Sequence, residues 1–295
     1  MRKTLAIINT TALEVLSEPL SLLLTIFALV LTIFAPAFHY HQFGEVTRMA
    51  RDAGFSALFT CGNLLAIVGA IRTFRSEIES GTAQMVLSHP ISRMNFAVAK
   101  VLGTIVAYSV FGLIVFAVML VMVEGAAIGG LIAERNGDIA RIWAPNFSLS
   151  VAIIVLPLMI GAMLNWAGRF RFVLTFFKIA AGMSALSLVA VMVMDRELVC
   201  RALPVALLIM VETAVMTFAA AIFAIRFKTN SAAVATLGVF LAAVPALGNY
   251  YQVEMLANGG SLSWSYFGLA VLAAVPALAL FVFLLNSFIV KRDIQ

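Results

Sequence analysis

Eight apolar runs separated by short polar stretches constrain this chain more than any other feature. They fall at Leu20 to Phe38, Gly54 to Ile71, Phe96 to Val123, Leu149 to Trp166, Phe172 to Met194, Ala202 to Ile225, Ala232 to Leu247 and Tyr266 to Ile289. About 20 apolar residues in a helix cross a hydrocarbon core, where the backbone must satisfy its own hydrogen bonds, so runs of this length predict helices. The expected fold is all-α: a polytopic integral membrane protein with about eight transmembrane helices in one domain, residues 1–295. Composition agrees. The chain is 63% hydrophobic and 11% charged, with a mean hydropathy of +1.07, which leaves too little polar surface for a water-soluble globule of 295 residues. The seventh run is short, and Pro245, Gly248 and Asn249 predict that its helix breaks.

The charges between the runs carry orientation. With the N-terminus in the cytoplasm, thirteen of the nineteen Lys and Arg fall on the inner side, and the positive-inside rule then places both termini there. The net charge of +5 comes without a basic block or stacking motif, which excludes nucleic acid as a partner and leaves the lipid bilayer. Cys61 lies inside an apolar run and Cys200 in a short loop, a pair that builds neither a disulfide framework nor a metal cluster. Ahead of the first run, Leu5, Ile8, Ala12, Val15 and Leu16 line one helical face, opposite Lys3, Thr10, Glu14 and Ser17. Residues 1–18 are thus expected to form an amphipathic helix lying in the cytoplasmic interface, with Arg2 and Lys3 near the headgroups. Asn9, Thr10, Thr11 and Glu14 interrupt the core that a signal peptide would need.

One polar interruption, residues 72–95, has a defined internal order. Arg72 and Arg75 end an apolar run, Glu77, Glu79 and Ser80 follow, and Gly81 with Thr82 breaks the helix and offers a new cap. Ala83 to Leu87 make a brief apolar turn, Pro90 stops it, and Ser92 caps the next helix, whose first turn carries Arg93 and Asn95 before Lys100 marks the membrane boundary. Together with Leu87, Ser88, Ile91 and Gly103, this order resembles the segment after the second span in membrane subunits of type 2 ABC exporters, and within them the permeases associated with multicopper enzyme maturation. The resemblance covers about thirty residues closely and the rest in outline. It implies a permease whose cytosolic coupling helix docks on a separate ABC ATPase subunit, with Glu77 and Glu79 touching that ATPase and Ser80, Gly81, Thr82, Pro90, Ser92 and Arg93 shaping the hairpin. It also implies an N-terminal elbow helix, a homo- or heterodimer of permease subunits, a bacterial cytoplasmic (inner) membrane, and ATP with magnesium bound on the partner, none on this chain. The family usually has six spans, so the eight runs here imply an extra pair within Leu149 to Ile225, or a re-entrant hairpin there.

Polar residues inside the runs are candidates because buried charge in lipid is expensive. Glu212, the deepest acid, either lines a polar pathway or takes up a proton, or else hydrogen-bonds Thr213, Thr217 or a neighbouring helix. Asn63 and Asn165 complete the candidate pathway set, although inter-helix hydrogen bonding accounts for both. Lys178, one turn into its run, can snorkel to the surface. Soft thioethers bind Cu(I). Met159, Met163, Met183, Met192 and Met194 nevertheless lack His or Cys neighbours and read as adaptable core filler, and His39, His41 and His89 are too few for a metal site. Asn249 to Trp264 reads either as a re-entrant external gate, as the resemblance implies, or as an interfacial loop anchored by Tyr250, Tyr251, Trp264 and Tyr266. No P-loop or nucleophile–base pattern occurs, so the chain is not expected to be an enzyme. The expected function is the permease of an ATP-driven exporter. A proton-coupled secondary transporter using Glu212 and a noncatalytic membrane scaffold are the alternatives.

Overall fold

The computed structural model describes residues 2–34, 46–80, 92–136, 140–168, 170–250 and 262–291. These residues form nine helices and no strand: α1 Arg2–Ser17, α2 Pro19–Phe34, α3 Val46–Ser80, α4 Arg93–Asn136, α5 Ala140–Trp166, α6 Phe172–Met194, α7 Arg196–Arg226, α8 Thr229–Tyr250 and α9 Trp264–Lys291. Six of them contain stretches long and apolar enough to cross a membrane: Thr47–Glu79, Met94–Gly125, Asn146–Trp166, Phe172–Met194, Arg196–Arg226 and Trp264–Leu285. The chain is therefore an all-helical protein of multi-pass membrane character.

α2 covers the expected first span, Leu20 to Phe38, as far as Phe34, and residues 35–38 lie outside the described residues. It follows α1 after a break at Glu18, and the two count as a seventh span only if taken together. α8 runs 22 residues, from Thr229 through Pro245 to Tyr250, a rise of about 33 Å, so the helix continues where a break was expected. Pro removes one helical N–H, a loss that a packed helix tolerates. The three runs within Leu149 to Ile225 are three full-length helices among the described residues, without a re-entrant hairpin.

Helix ends also lie beyond the apolar runs. α3 stays helical through Ser80, up to the break expected at Gly81 and Thr82, and α4 runs on to Asn136, past the end of its apolar run at Val123. Arg and Glu recur in both extensions and favour helix, so loss of hydropathy there is not loss of helix. Where helices do start and stop, local chemistry is visible. Asp195 Oδ1 accepts the Leu198 N–H at 2.9 Å and caps α7, and Ser263 Oγ accepts the Tyr266 N–H at 3.2 Å at the start of α9. After α5, Gly168 takes φ +76°, a left-handed stop that glycine adopts without a Cβ penalty. The short connection that follows returns the chain as α6, and α5 packs on α6 with α2 against both.

The described chain divides into two compact units. One comprises Leu16–Gly62 and Val110–Ala206. Its centre is the second half of α4, where every residue from Ile114 to Val123 is buried, as expected of a helix that is apolar all round. The outer faces of α5 and α6 carry Met159, Met163, Met192 and Met194, all exposed, so these methionines do not fill the core as expected but coat an apolar surface suited to lipid. Lys178 is exposed as well.

The other unit comprises Met1–Val15, Asn63–Ser109 and Leu207–Gln295. Its core joins Ile67, Ala70, Ile71 and Phe74 of α3, Ala97 and Val101 of α4, Phe218, Ala220, Ala221, Ile222, Ala224 and Ile225 of α7, Ala232 of α8 and Leu285 of α9. α1 belongs to this unit through a buried face of Thr11, Ala12 and Val15, while Leu5 at its start is exposed. Two glycines make room for it. A Cβ on Gly103 would stand 2.6 Å from Thr11 Cβ and 2.7 Å from the Ile8 carbonyl oxygen, and one on Gly69 would stand 3.0 Å from Val15. Small residues of this kind let helix backbones approach closely. Buried threonines throughout, among them Thr25, Thr32, Thr73, Thr213, Thr217 and Thr236, donate to the carbonyl four residues back and so satisfy their hydroxyls within their own helix.

Candidate functional site

The unit built from Met1–Val15, Asn63–Ser109 and Leu207–Gln295 contains two polar constellations. The first flanks the stretch 81–91, with the end of α3 on one side and the start of α4 on the other. Ser92 caps α4: its Oγ accepts the Asn95 N–H at 3.2 Å, and its carbonyl accepts the Phe96 N–H at 3.1 Å. Ser80 is the last residue of α3 and Arg93 the first of α4, whereas Gly81, Thr82 and Pro90 lie outside the described residues, as do His39, His41 and His89.

The two acids expected to face a partner have different surroundings. Glu79 pairs with Arg75 one turn earlier at 2.7 Å, and its side chain stays 60% exposed. Glu77 instead turns to Lys100 of α4, with Oε1 at 2.8 Å from Nζ and only 24% of the side chain exposed. Lys100 is not an interfacial marker. It is 1% exposed, and Nζ donates a second hydrogen bond to the Thr73 carbonyl oxygen at 2.8 Å. The rings of Phe74 and Phe96 stand 6.0 and 5.7 Å from the ammonium, within cation–π range. The lysine in the sequence signalled a charge near the membrane; its burial depends on an acid 23 residues earlier, which is a tertiary fact.

The second constellation is deep in the helices. Asn63 of α3 donates from Nδ2 to Glu212 Oε2 of α7 at 2.9 Å, and both side chains are buried. Thr213 Oγ1 lies 3.4 Å from the same Oε2 but donates at 2.9 Å to the Ile209 carbonyl. Tyr108 of α4 is buried beside them, with its hydroxyl near Thr213 and within electrostatic reach of Glu212. Glu212 Oε1 is buried without a hydrogen-bond partner among the described residues, and no basic side chain there pairs with the carboxyl. A buried acid whose second oxygen is open can receive a proton or a donor group from something that enters the helices.

Of the three residues expected to line a pathway, the fold brings Asn63 and Glu212 together within one unit, and Asn165 belongs to the other. Asn165 is exposed at the end of α5, where its carbonyl accepts the Gly168 N–H at 2.8 Å in the helix stop. Tyr108 and Thr73 are the additions. The signal for Tyr108 was its position as a lone phenol inside an apolar run, where a hydroxyl needs a partner. No protein-family model, curated protein or solved structure matches this chain.

Proposed function

We propose that this chain is the membrane-spanning permease subunit of an ATP-driven exporter, taking work from a separate ATPase through residues 72–95. The observation that carries this reading is the order of Glu77, Glu79, Gly81, Thr82, Pro90, Ser92 and Arg93 between two long apolar helices. Glu79 is the exposed acid available to a partner; Glu77 shapes the site from within through Lys100. On this reading ATP and magnesium bind to the partner, two permease subunits pair, and the chain sits in a bacterial cytoplasmic membrane with both termini inside. Taking α1 as the elbow, α2 as the first crossing and α8 as the seventh gives eight crossings and keeps 72–95 cytoplasmic.

The differential contact that drives such a permease is one an ATPase makes in its closed state and not in its open state. Purification of the tagged chain from native membranes tests it: an ATPase co-purifies with the wild type and is lost with Glu79→Lys plus Gly81→Val. Retention of the ATPase by that variant, or its absence from the wild type, overturns the reading. One observation favours a second reading. The open oxygen of Glu212 suits a proton-coupled secondary transporter, which would move cargo in sealed vesicles under a proton gradient without ATP.

A further inference from the structure

We propose that Lys100 is a positioning residue that staples the end of α3 to the start of α4, fixing the two helix ends that border residues 81–91 in the sequence. The ammonium has three N–H donors. Two are spent on α3, one on Glu77 Oε1 and one on the Thr73 carbonyl, both at 2.8 Å. The remaining face of the ammonium meets the rings of Phe74 and Phe96, one from each helix. Thr73 is itself tied down, because its hydroxyl donates to the Gly69 and Ala70 carbonyls at 2.9 and 3.1 Å. A cation at 1% exposure with two directed bonds to one helix has little freedom to move relative to that helix.

An ordinary membrane-boundary lysine snorkels to water on a mobile stem. This one turns inward, and a half-buried carboxylate meets it. Replacing a buried ion pair with apolar side chains of similar size is often neutral for stability, whereas the directed link between two elements is lost with the charges. That contrast separates positioning from packing. The inference rests on the permease reading only for its consequence, that an ATPase pushing on 81–91 meets two helix ends moving as one; the staple itself is a property of this chain.

The test uses the full chain in lipid nanodiscs, with Cys200→Ser so that the buried Cys61 is the only native thiol. Spin labels go on cysteines placed at the exposed Ser76 and Asn95. The wild-type background gives a single narrow label-to-label distance distribution. Lys100→Met plus Glu77→Met, which leaves no unpaired charge, keeps the thermal midpoint of the background and broadens the distribution at least about twofold. Lys100→Met alone broadens it and also lowers the midpoint, because Glu77 then keeps its charge without a counterion. A narrow distribution in the double variant overturns the staple, whatever the pull-down says. A broad one without any co-purifying ATPase leaves the staple standing and sinks the permease reading.

Discussion

Removing the amide that holds Glu212 should reveal how much the deep polar cluster contributes to the fold. In Asn63→Leu, Glu212 Oε2 loses its 2.9 Å donor and keeps only the long 3.4 Å contact of the Thr213 hydroxyl, whose shorter bond goes to the Ile209 carbonyl. A buried acceptor left unsatisfied costs about 1–3 kcal/mol, and Glu212→Leu, which strips the Asn63 amide of its carboxylate, should cost a similar amount. In Asn63→Leu plus Glu212→Leu both polar groups are gone and the two helices face each other through apolar side chains. The double variant should therefore be more stable than the sum of the single losses predicts. Inter-helix hydrogen bonds in membranes couple by only ~0.6–1.7 kcal/mol, since the unfolded chain in lipid also finds partners, so the expected interaction energy is about 1 kcal/mol. Reversible unfolding in bicelles, driven by added SDS and followed by tryptophan fluorescence, measures all four variants. Additivity of the two single losses to within about 0.3 kcal/mol would refute the argument.

Three further predictions follow from packing and exposure. Gly103→Leu should displace α1, because even a Cβ meets the Ile8 carbonyl at 2.7 Å; overpacking costs about 1–3 kcal/mol, read as lower thermal stability and faster proteolysis after Lys3. Gly69→Ala, with 3.0 Å to a Val15 methyl, should cost less in the same assay. A membrane-impermeant maleimide added to whole cells should label Cys200, which is exposed in the first turns of α7, and should spare the buried Cys61. Labelling of Cys200 only after the cells are opened would reverse the proposed orientation.

Much of the helical content was legible because apolar runs of membrane length leave few alternatives. The ends were less so. The break at Gly81 and Thr82 placed the end of α3 correctly, but Glu124 to Asn136 carry α4 past its apolar run, because hydropathy reports the solvent around a helix, not its hydrogen bonding.

The sites divide along a similar line. Glu212 stood out as the deepest acid in any run, but Asn63 lies 149 residues away in sequence, and no local pattern links the two. Asn165 had the same apparent status as Asn63 and turned out to sit in an exposed helix stop. Ser92 was legible as a cap because N-capping is a local event written in four consecutive residues. Lys100 was legible as a charge but not as a buried one, since its surroundings come from the packing of α3 on α4.

A photo-cross-linking amino acid placed at Glu79, the exposed acid at the end of α3, tests the central claim in native membranes. The account predicts a cross-linked product containing an ATP-binding subunit, formed on irradiation and diminished when Gly81→Val is added. Cross-links to lipid alone, or to proteins on the external side of the membrane, would contradict it.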